Sequence, residues 1–221
     1  MRFDPEKHHR HSIRLKGYNY AQAGAYFVTI CAQNRECLFG DIEEGEMRSN
    51  DAGHMVQSVW NELPQHYPGV DVDAFVVMPN HIHGIIVLMD DDIVVGAGPR
   101  ARPIGPRARP DNRESPPFDG QPRGVRGQPR GVAPTMSLPD VVHRFKSLTT
   151  ARFRHGVIHN NWHPFHGGLW QRNYYEHVIR NESELGRIRE YIVANPGRWD
   201  EDINNPGRVH SAPRRQENEW L

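Results

Sequence analysis

The sequence predicts an α+β domain, on three observations. Residues 74–88 form a strongly apolar stretch broken once, at Pro79-Asn80, as an antiparallel hairpin would be. Apolar residues of helical period precede it, and a second amphipathic run with clear start and stop signals closes the patterned part of the chain. Strands and helices therefore share one core, in the order strand, helix, strand, strand, with further helices behind.

Taken in order, residues 1–17 carry Arg2, Lys7, Arg10, Arg14 and Lys16 against Asp4 and Glu6, a basic arm. Ala25-Tyr26-Phe27-Val28-Thr29-Ile30-Cys31 is β-branched and aromatic with both faces mostly apolar, which predicts a central strand covered on both sides. Cys37-Leu38-Phe39 and Glu46-Met47-Arg48 flank an acidic turn with Gly45 and read as a small peripheral hairpin. From Asn50, the spacing of Met55, Val56, Val59, Trp60 and Leu63 predicts a helix that Pro64 ends. The main hairpin follows, with strands 74–78 and 81–88.

Residues 92–135 change in style. Gly98-Pro99-Arg100-Ala101-Arg102-Pro103 is repeated from Gly105, and Gly120-Gln121-Pro122-Arg123-Gly124-Val125 is repeated from Gly127. Rich in proline, glycine and arginine and poor in large apolar residues, the segment reads as a disordered insertion that adds length without core. Patterning resumes at Ser137, with Asp140 three residues on as a capping box, and a helix is expected to about Arg154. Val141, Val142, Phe145 and Leu148 supply its core stripe. Arg144, Lys146, Arg152 and Arg154 collect beside it as the best local basic patch, with Ser147, Thr149 and Thr150 interleaved for phosphate contacts. Residues 169–179 are aromatic and extended in character, a further strand or a strand entering a bend. The last helix has Asn181 as N-cap, acids Glu182 and Glu184 in its first turn and Pro196 at its end, which pushes Asn195 toward extended geometry.

Composition limits the function classes. Lysine plus arginine equals aspartate plus glutamate at 27 each, so no global field draws the chain to nucleic acid, and any such site must be local. The two cysteines, Cys31 and Cys37, form no Cys-x-x-Cys pair and suit a reducing compartment. No apolar run reaches the roughly 20 residues of a membrane span, and the polar start is no signal peptide, so a cytoplasmic protein is expected.

The chemistry gathers at two places. Strand alternation puts His81 and His83 on one face and Ile82 on the other, so the two imidazoles can share a metal ion such as Mn, Co or Zn, or Mg with added oxygen ligands. On the last helix, Tyr191 and Asn195 lie one turn apart at the edge of the stripe formed by Leu185, Ile188 and Ile192, facing the same way. A tyrosine nucleophile, a metal held by His81, His83 and Asn195, and nearby basic patches suit phosphoryl transfer. Tyr174 and Tyr175 are rival nucleophiles, of which strand geometry lets at most one address the metal.

At these residues the chain resembles a known family. His81-Ile82-His83 is similar to the His-hydrophobe-His signature of the HUH single-tyrosine transposases. Met78-Pro79-Asn80-His81-Ile82-His83, Phe145-Lys146-Ser147, Leu169-Trp170-Gln171-Arg172, Glu176-His177-Val178-Ile179-Arg180 and Tyr191-Ile192-Val193-Ala194-Asn195-Pro196 together resemble the REP-associated tyrosine transposase branch of the insertion-sequence-200-like superfamily. The resemblance implies a ferredoxin-like antiparallel sheet with helices packed on it, built from 18–91 and 136–206 as one domain, with 92–135 inserted and 207–221 as a tail. It also implies cutting and joining of single-stranded DNA beside hairpins of repetitive extragenic palindromes, with Mg or Mn, on bacterial DNA in the cytoplasm. His81 and His83 match the metal ligands and Tyr191 the nucleophile. Asn195 stands where the insertion-sequence relatives carry a glutamine ligand, one methylene longer. DNA contacts are expected from Arg144, Lys146, Arg152, Arg154, Arg14 and Lys16, in a monomer or a homodimer. The alternative is a hairpin-binding protein that keeps the fold without cleavage. An amidohydrolase-type barrel, which also uses His-x-His, needs about 250 residues, more than the patterned part supplies.

Overall fold

The computed structural model describes residues 17–89 and 136–208. The basic arm through residue 16, with Arg14 and Lys16, the whole arginine-rich insertion, and the tail from 209 lie outside them. The described elements are β1 (Gly24–Cys31), β2 (Gly40–Glu43), β3 (Glu46–Ser49), α1 (Asp51–His66), β4 (Val70–Met78), β5 (His81–Leu88), α2 (Leu138–His159), β6 (Tyr175–Ile179) and α3 (Glu182–Ala194), followed by a 3₁₀ turn, Pro196–Glu201. The main sheet has the order β4-β5-β1-β6, every neighbour antiparallel, and β2 and β3 pair separately. With α1 between β1 and β4, and α2 between β5 and β6, this is the expected ferredoxin-like α+β arrangement, with β1 and β5 central.

Side-chain alternation divides the core in two. Tyr26, Val28 and Ile30 of β1 and Ile82, Ile86 and Leu88 of β5 point to one face, where Val56, Val59, Trp60 and Leu63 of α1 and Val141, Val142, Phe145 and Phe153 of α2 cover them. Phe27 and Ile85 point to the other face and meet Ile188 and Ile192 of α3. The first face is sealed by rings: Trp60 stacks on Phe75 with centroids 4.4 Å apart and meets Phe145 edge-on at 5.5 Å. Gly84 makes room for this, since a Cβ there would lie 2.5 Å from the Trp60 ring.

Several boundaries differ from the sequence reading. Helix α1 runs through Pro64 to His66, because a proline in the last turn forfeits a single bond and Tyr67 N–H still closes the turn on Leu63 O at 3.0 Å. Strand β2 starts at Gly40, not Cys37: Phe39 is drawn into the core against Trp170, 5.1 Å away. Helix α2 continues five residues past Arg154, since Gly156 does not break it but leaves the space that the Trp162 ring fills. Over 169–179, of the two forms expected, the chain takes the bend first and is a strand, β6, only from Tyr175. Before it, the Lys146 ammonium donates to the carbonyls of Gln171, Arg172 and Asn173 at 2.9–3.3 Å and takes that backbone out of the ladder. Asn195 is helical (φ −60°, ψ −43°), not extended: Pro196 begins a 3₁₀ turn that carries the helix onward, and Arg198 N–H bonds Asn195 O at 3.0 Å.

Candidate metal and nucleophile site

The α3-facing side of β5 presents His81 and His83 together, as the alternation requires. Their Nε2 atoms are 3.0 Å apart and both side chains are buried. Each ring is aimed by a partner on its far nitrogen. Thr29 Oγ1, from the neighbouring β1, lies 2.8 Å from His83 Nδ1. The Asn80 side chain holds His81: its Nδ2 donates to Arg35 O at 2.9 Å and Asn204 O at 2.8 Å, which leaves its Oδ1 to accept from His81 Nδ1–H at 2.9 Å. His81 therefore carries its proton on Nδ1 and turns the Nε2 lone pair toward His83, the orientation second-shell partners impose on metal-binding imidazoles. Phe27 stacks on His83 at 5.6 Å and Trp199 on His81 at 6.1 Å, fixing both planes.

The electrostatics keep the pair neutral. Burial, with the Arg35 guanidinium acting the same way, pushes the His81 pKa down to about 3. Burial and the neighbouring His81 hold His83 well below the usual range, against a smaller opposite pull from Asp202 and Asn195. Neutral imidazoles are the form that binds a metal. The separation also fits: two nitrogens held cis on one ion, each at roughly 2.1 Å, lie about 3 Å apart.

Helix α3 brings Tyr191 and Asn195 over this pair. The Tyr191 ring meets His83 at 5.2 Å and Phe27 at 5.9 Å, both edge-on. Asn195, buried, hydrogen-bonds through its side chain to both His83 and Tyr191. Burial raises the Tyr191 phenol pKa, and the Asn195 bond works against that rise. The helix is set in place by Asn181, whose Oδ1 accepts from Glu184 N at 2.9 Å, and by Arg189, which pairs with Asp73 of β4 at 3.0 and 2.5 Å. Tyr175 shares the face of the histidines and meets Phe27 edge-on at 6.2 Å; Tyr174 has Lys146 over its ring at 5.3 Å.

Sequence reasoning missed four contributors. Asp202 lies just after the 3₁₀ turn, its side chain 8% exposed and its Oδ2 3.5 Å from His81 Nε2. His81, His83 and Asp202 form a group able to hold a metal ion, with ligand atoms within 4.8 Å of one another. Thr29 and Asn80 were visible only as a strand and a turn residue, and Arg35 belonged to no motif. Both Asn34 and Arg35 have positive φ, 57° and 56°. The backbone bend there turns Arg35 back so that its Nη1 donates to Ile203 O at 3.0 Å.

A cleft of about 340 Å³ opens over the site between Phe27, His83, Tyr175 and Tyr191. At Arg35, Gln171 and Asn173 it meets a second, polar cleft of about 510 Å³. A larger cleft of about 860 Å³, beside Phe153 and Trp162, lies on the opposite face of the sheet, away from the histidines.

The four basic residues of α2 are not brought to the histidines, because α2 covers that opposite face. Arg152 is held by Glu62 of α1 in a two-pronged pair at 2.8 and 2.5 Å, and Lys146 by the carbonyls named above. Arg154 lies over the Phe165 ring at 5.9 Å, and Arg144 is exposed. None of the described helices is long and apolar enough to cross a membrane.

No family model matches the chain. An uncharacterized Haemophilus influenzae protein is 40% identical over 195 residues, covering 88% of this chain and 92% of its own. A second protein of the same organism, named among the REP-associated tyrosine transposases, is 24% identical over 178 residues, 80% of this chain and 73% of its own. The solved structure of a REP-associated tyrosine transposase bound to a REP hairpin aligns with a TM-score of 0.49 at 16% identity, covering 89% of this chain and 76% of that one.

Proposed function

Starting from a chain that belongs to the family of its 40% identical Haemophilus influenzae relative and is related to the REP-associated tyrosine transposases, we propose that this protein is a metal-dependent single-strand DNA transesterase. It cuts and joins DNA next to hairpins of repetitive extragenic palindromes. The observation that carries the reading is the meeting of Tyr191 with His83 at 5.2 Å, with the buried Asn195 amide bonded to both.

His81 and His83, with Asn195 beside them, would hold the ion, Mg or Mn. When bound, it supplies a positive charge that polarises the scissile phosphate and offsets charge growing on its oxygens. Tyr191 Oη attacks phosphorus and forms an O–P bond as the bond from phosphorus to the 3′ oxygen breaks. The phenol loses its proton, the departing oxygen takes one up as a 3′-hydroxyl, and the DNA remains on Tyr191 as a 5′-phosphotyrosine. The reverse step, with an incoming 3′-hydroxyl, rejoins a strand and needs no ATP, since the phosphodiester is kept as an ester. Asn195 opposes the burial that raises the phenol pKa, which favours the nucleophilic form. The cleft beside Tyr191 admits the strand, and the exposed Arg35 at its rim suits a phosphate. Arg144 and Arg154, on the far face, serve duplex or hairpin contacts, and Arg14 and Lys16, outside the described residues, add charge for DNA.

The test is incubation with hairpin-bearing single-stranded DNA and Mn or Mg. A denaturation-resistant protein–DNA adduct is expected, located at Tyr191 by mass spectrometry and absent from Tyr191→Phe, which still binds the hairpin. An adduct on Tyr174 or Tyr175 removes the assignment. Binding without any adduct leaves a hairpin-binding protein.

A further inference from the structure

We infer that Asp202 is a protein ligand of the ion held by His81 and His83, and that loading the ion fastens the 202–204 segment over the site. The inference rests on the metal reading above and departs from an all-neutral ligand set of two imidazoles and an amide.

The argument begins at Asn80. Both hydrogens of its amide are taken by the carbonyls of Arg35 and Asn204, so its oxygen must receive the His81 Nδ1 proton. His81 Nε2 is then an acceptor in a fully buried ring, filled in the metal-free protein by His83 Nε2–H at 3.0 Å. Asp202 Oδ2 faces that lone pair at 3.5 Å. With His81 protonated on Nδ1 the carboxylate oxygen and this nitrogen have no proton to share, and a cation displacing the His83 proton would be held by all three atoms, which lie within 4.8 Å of one another. His83 Nε2 converges on the same point. Asp202 Oδ1 is already used, accepting from Asn204 N–H at 2.6 Å, which fixes the carboxylate and leaves Oδ2 as the free donor atom.

The segment carrying Asp202 is tied at its backbone to the residues that aim His81. Ile203 O accepts from Arg35 and Asn204 O from Asn80. An ion bridging Asp202 to His81 would close the loop from the third side. A carboxylate also gives the site a net negative charge, which favours hard divalent cations over the charge of an amide.

Manganese titration by calorimetry tests this on the full chain, with amide hydrogen exchange as a second reading. The parent is expected to bind Mn, and His81→Ala/His83→Ala to lose it. Asp202→Asn, which preserves shape and the Oδ1 acceptor, is expected to bind at least tenfold more weakly with an unchanged metal-free melting temperature. In the parent, Mn is expected to slow exchange across residues 202–204, a measurement that needs no variant. If Asp202→Asn binds Mn as the parent does while the double histidine variant does not, the metal site stands and the Asp202 assignment falls. Mn binding with no added protection at 202–204 removes the fastening. A parent that binds no Mn overturns the metal reading and this inference together.

Discussion

Gly84 sits between a site residue and a core residue, and its missing side chain serves the core. A methyl group there would lie 2.5 and 2.7 Å from the Trp60 ring and 2.9 Å from Phe75, all closer than real contacts allow. Gly84→Ala is expected to destabilise the protein by about 1–3 kcal/mol, the usual cost of overpacking, read from urea unfolding. Because Gly84 points away from His83, Mn affinity per folded molecule should be retained, and its loss would show that the two faces are coupled through β5. At this scale much of the candidate site was legible. His81 and His83 are two apart on an obvious strand, and Tyr191 and Asn195 four apart on an obvious helix, so each pair could be read from local period alone. Asp202 could not: it stands beside Asp200 and Glu201, and nothing in a run of acids says which one a turn will bury. Thr29 and Arg35 reach the site only through pairing between distant strands and loops.

Helices α1 and α2 are joined across the first face by the Glu62–Arg152 pair. The Arg152 guanidinium, chiefly through its hydrogen bonds, holds the Glu62 carboxyl at about 2, below its ordinary 4.5. The unfolded chain therefore binds more protons than the folded one in this interval, so stability rises with pH across it. The contribution is complete above pH 4.5 and is lost as pH falls toward 2. The pair is partly exposed, so its worth is about 0.5–1 kcal/mol. Glu62→Gln is expected to be less stable than the parent at neutral pH by that amount, with the gap narrowing between pH 4.5 and 2. A gap of constant size over that range would mean that packing, not charge, links the helices. Elements whose signals are local matched their expected positions: the Asn181 and Ser137 starts, and strand β1. The misread stretches are those where a distant partner wins, as when Lys146 gathers the carbonyls of 171–173 or Phe39 leaves its hairpin for Trp170. Pro64 misled because a proline in the last turn costs one bond, which the surrounding core easily offsets; Pro196 does follow the end of α3 at Ala194, and only the extended geometry expected of Asn195 fails.

Across the whole molecule, the described residues close on themselves without the arginine-rich repeats. Met89 N–H bonds Gly69 O at 2.9 Å at the end of β5, and Leu138 N–H bonds Tyr20 O at 2.9 Å at the start of α2. Excising residues 96–132 is expected to leave the melting temperature and the adduct yield unchanged, and to weaken nonspecific DNA binding at low salt, where arginines release counterions. A lower melting temperature would show that the segment belongs to the core. The division of β5 between its two faces has another consequence. Slipping this strand by one residue would turn both imidazoles toward Trp60 and present Ile82 and Gly84 to Tyr191. Such a molecule would match the native one in mass and charge and differ little in helix content, yet be wholly inert. With Tyr191 as the proposed nucleophile each chain would carry a single strand, so the amplitude of a covalent burst would be an active-site titration, counting the molecules in a preparation whose central strand is in register.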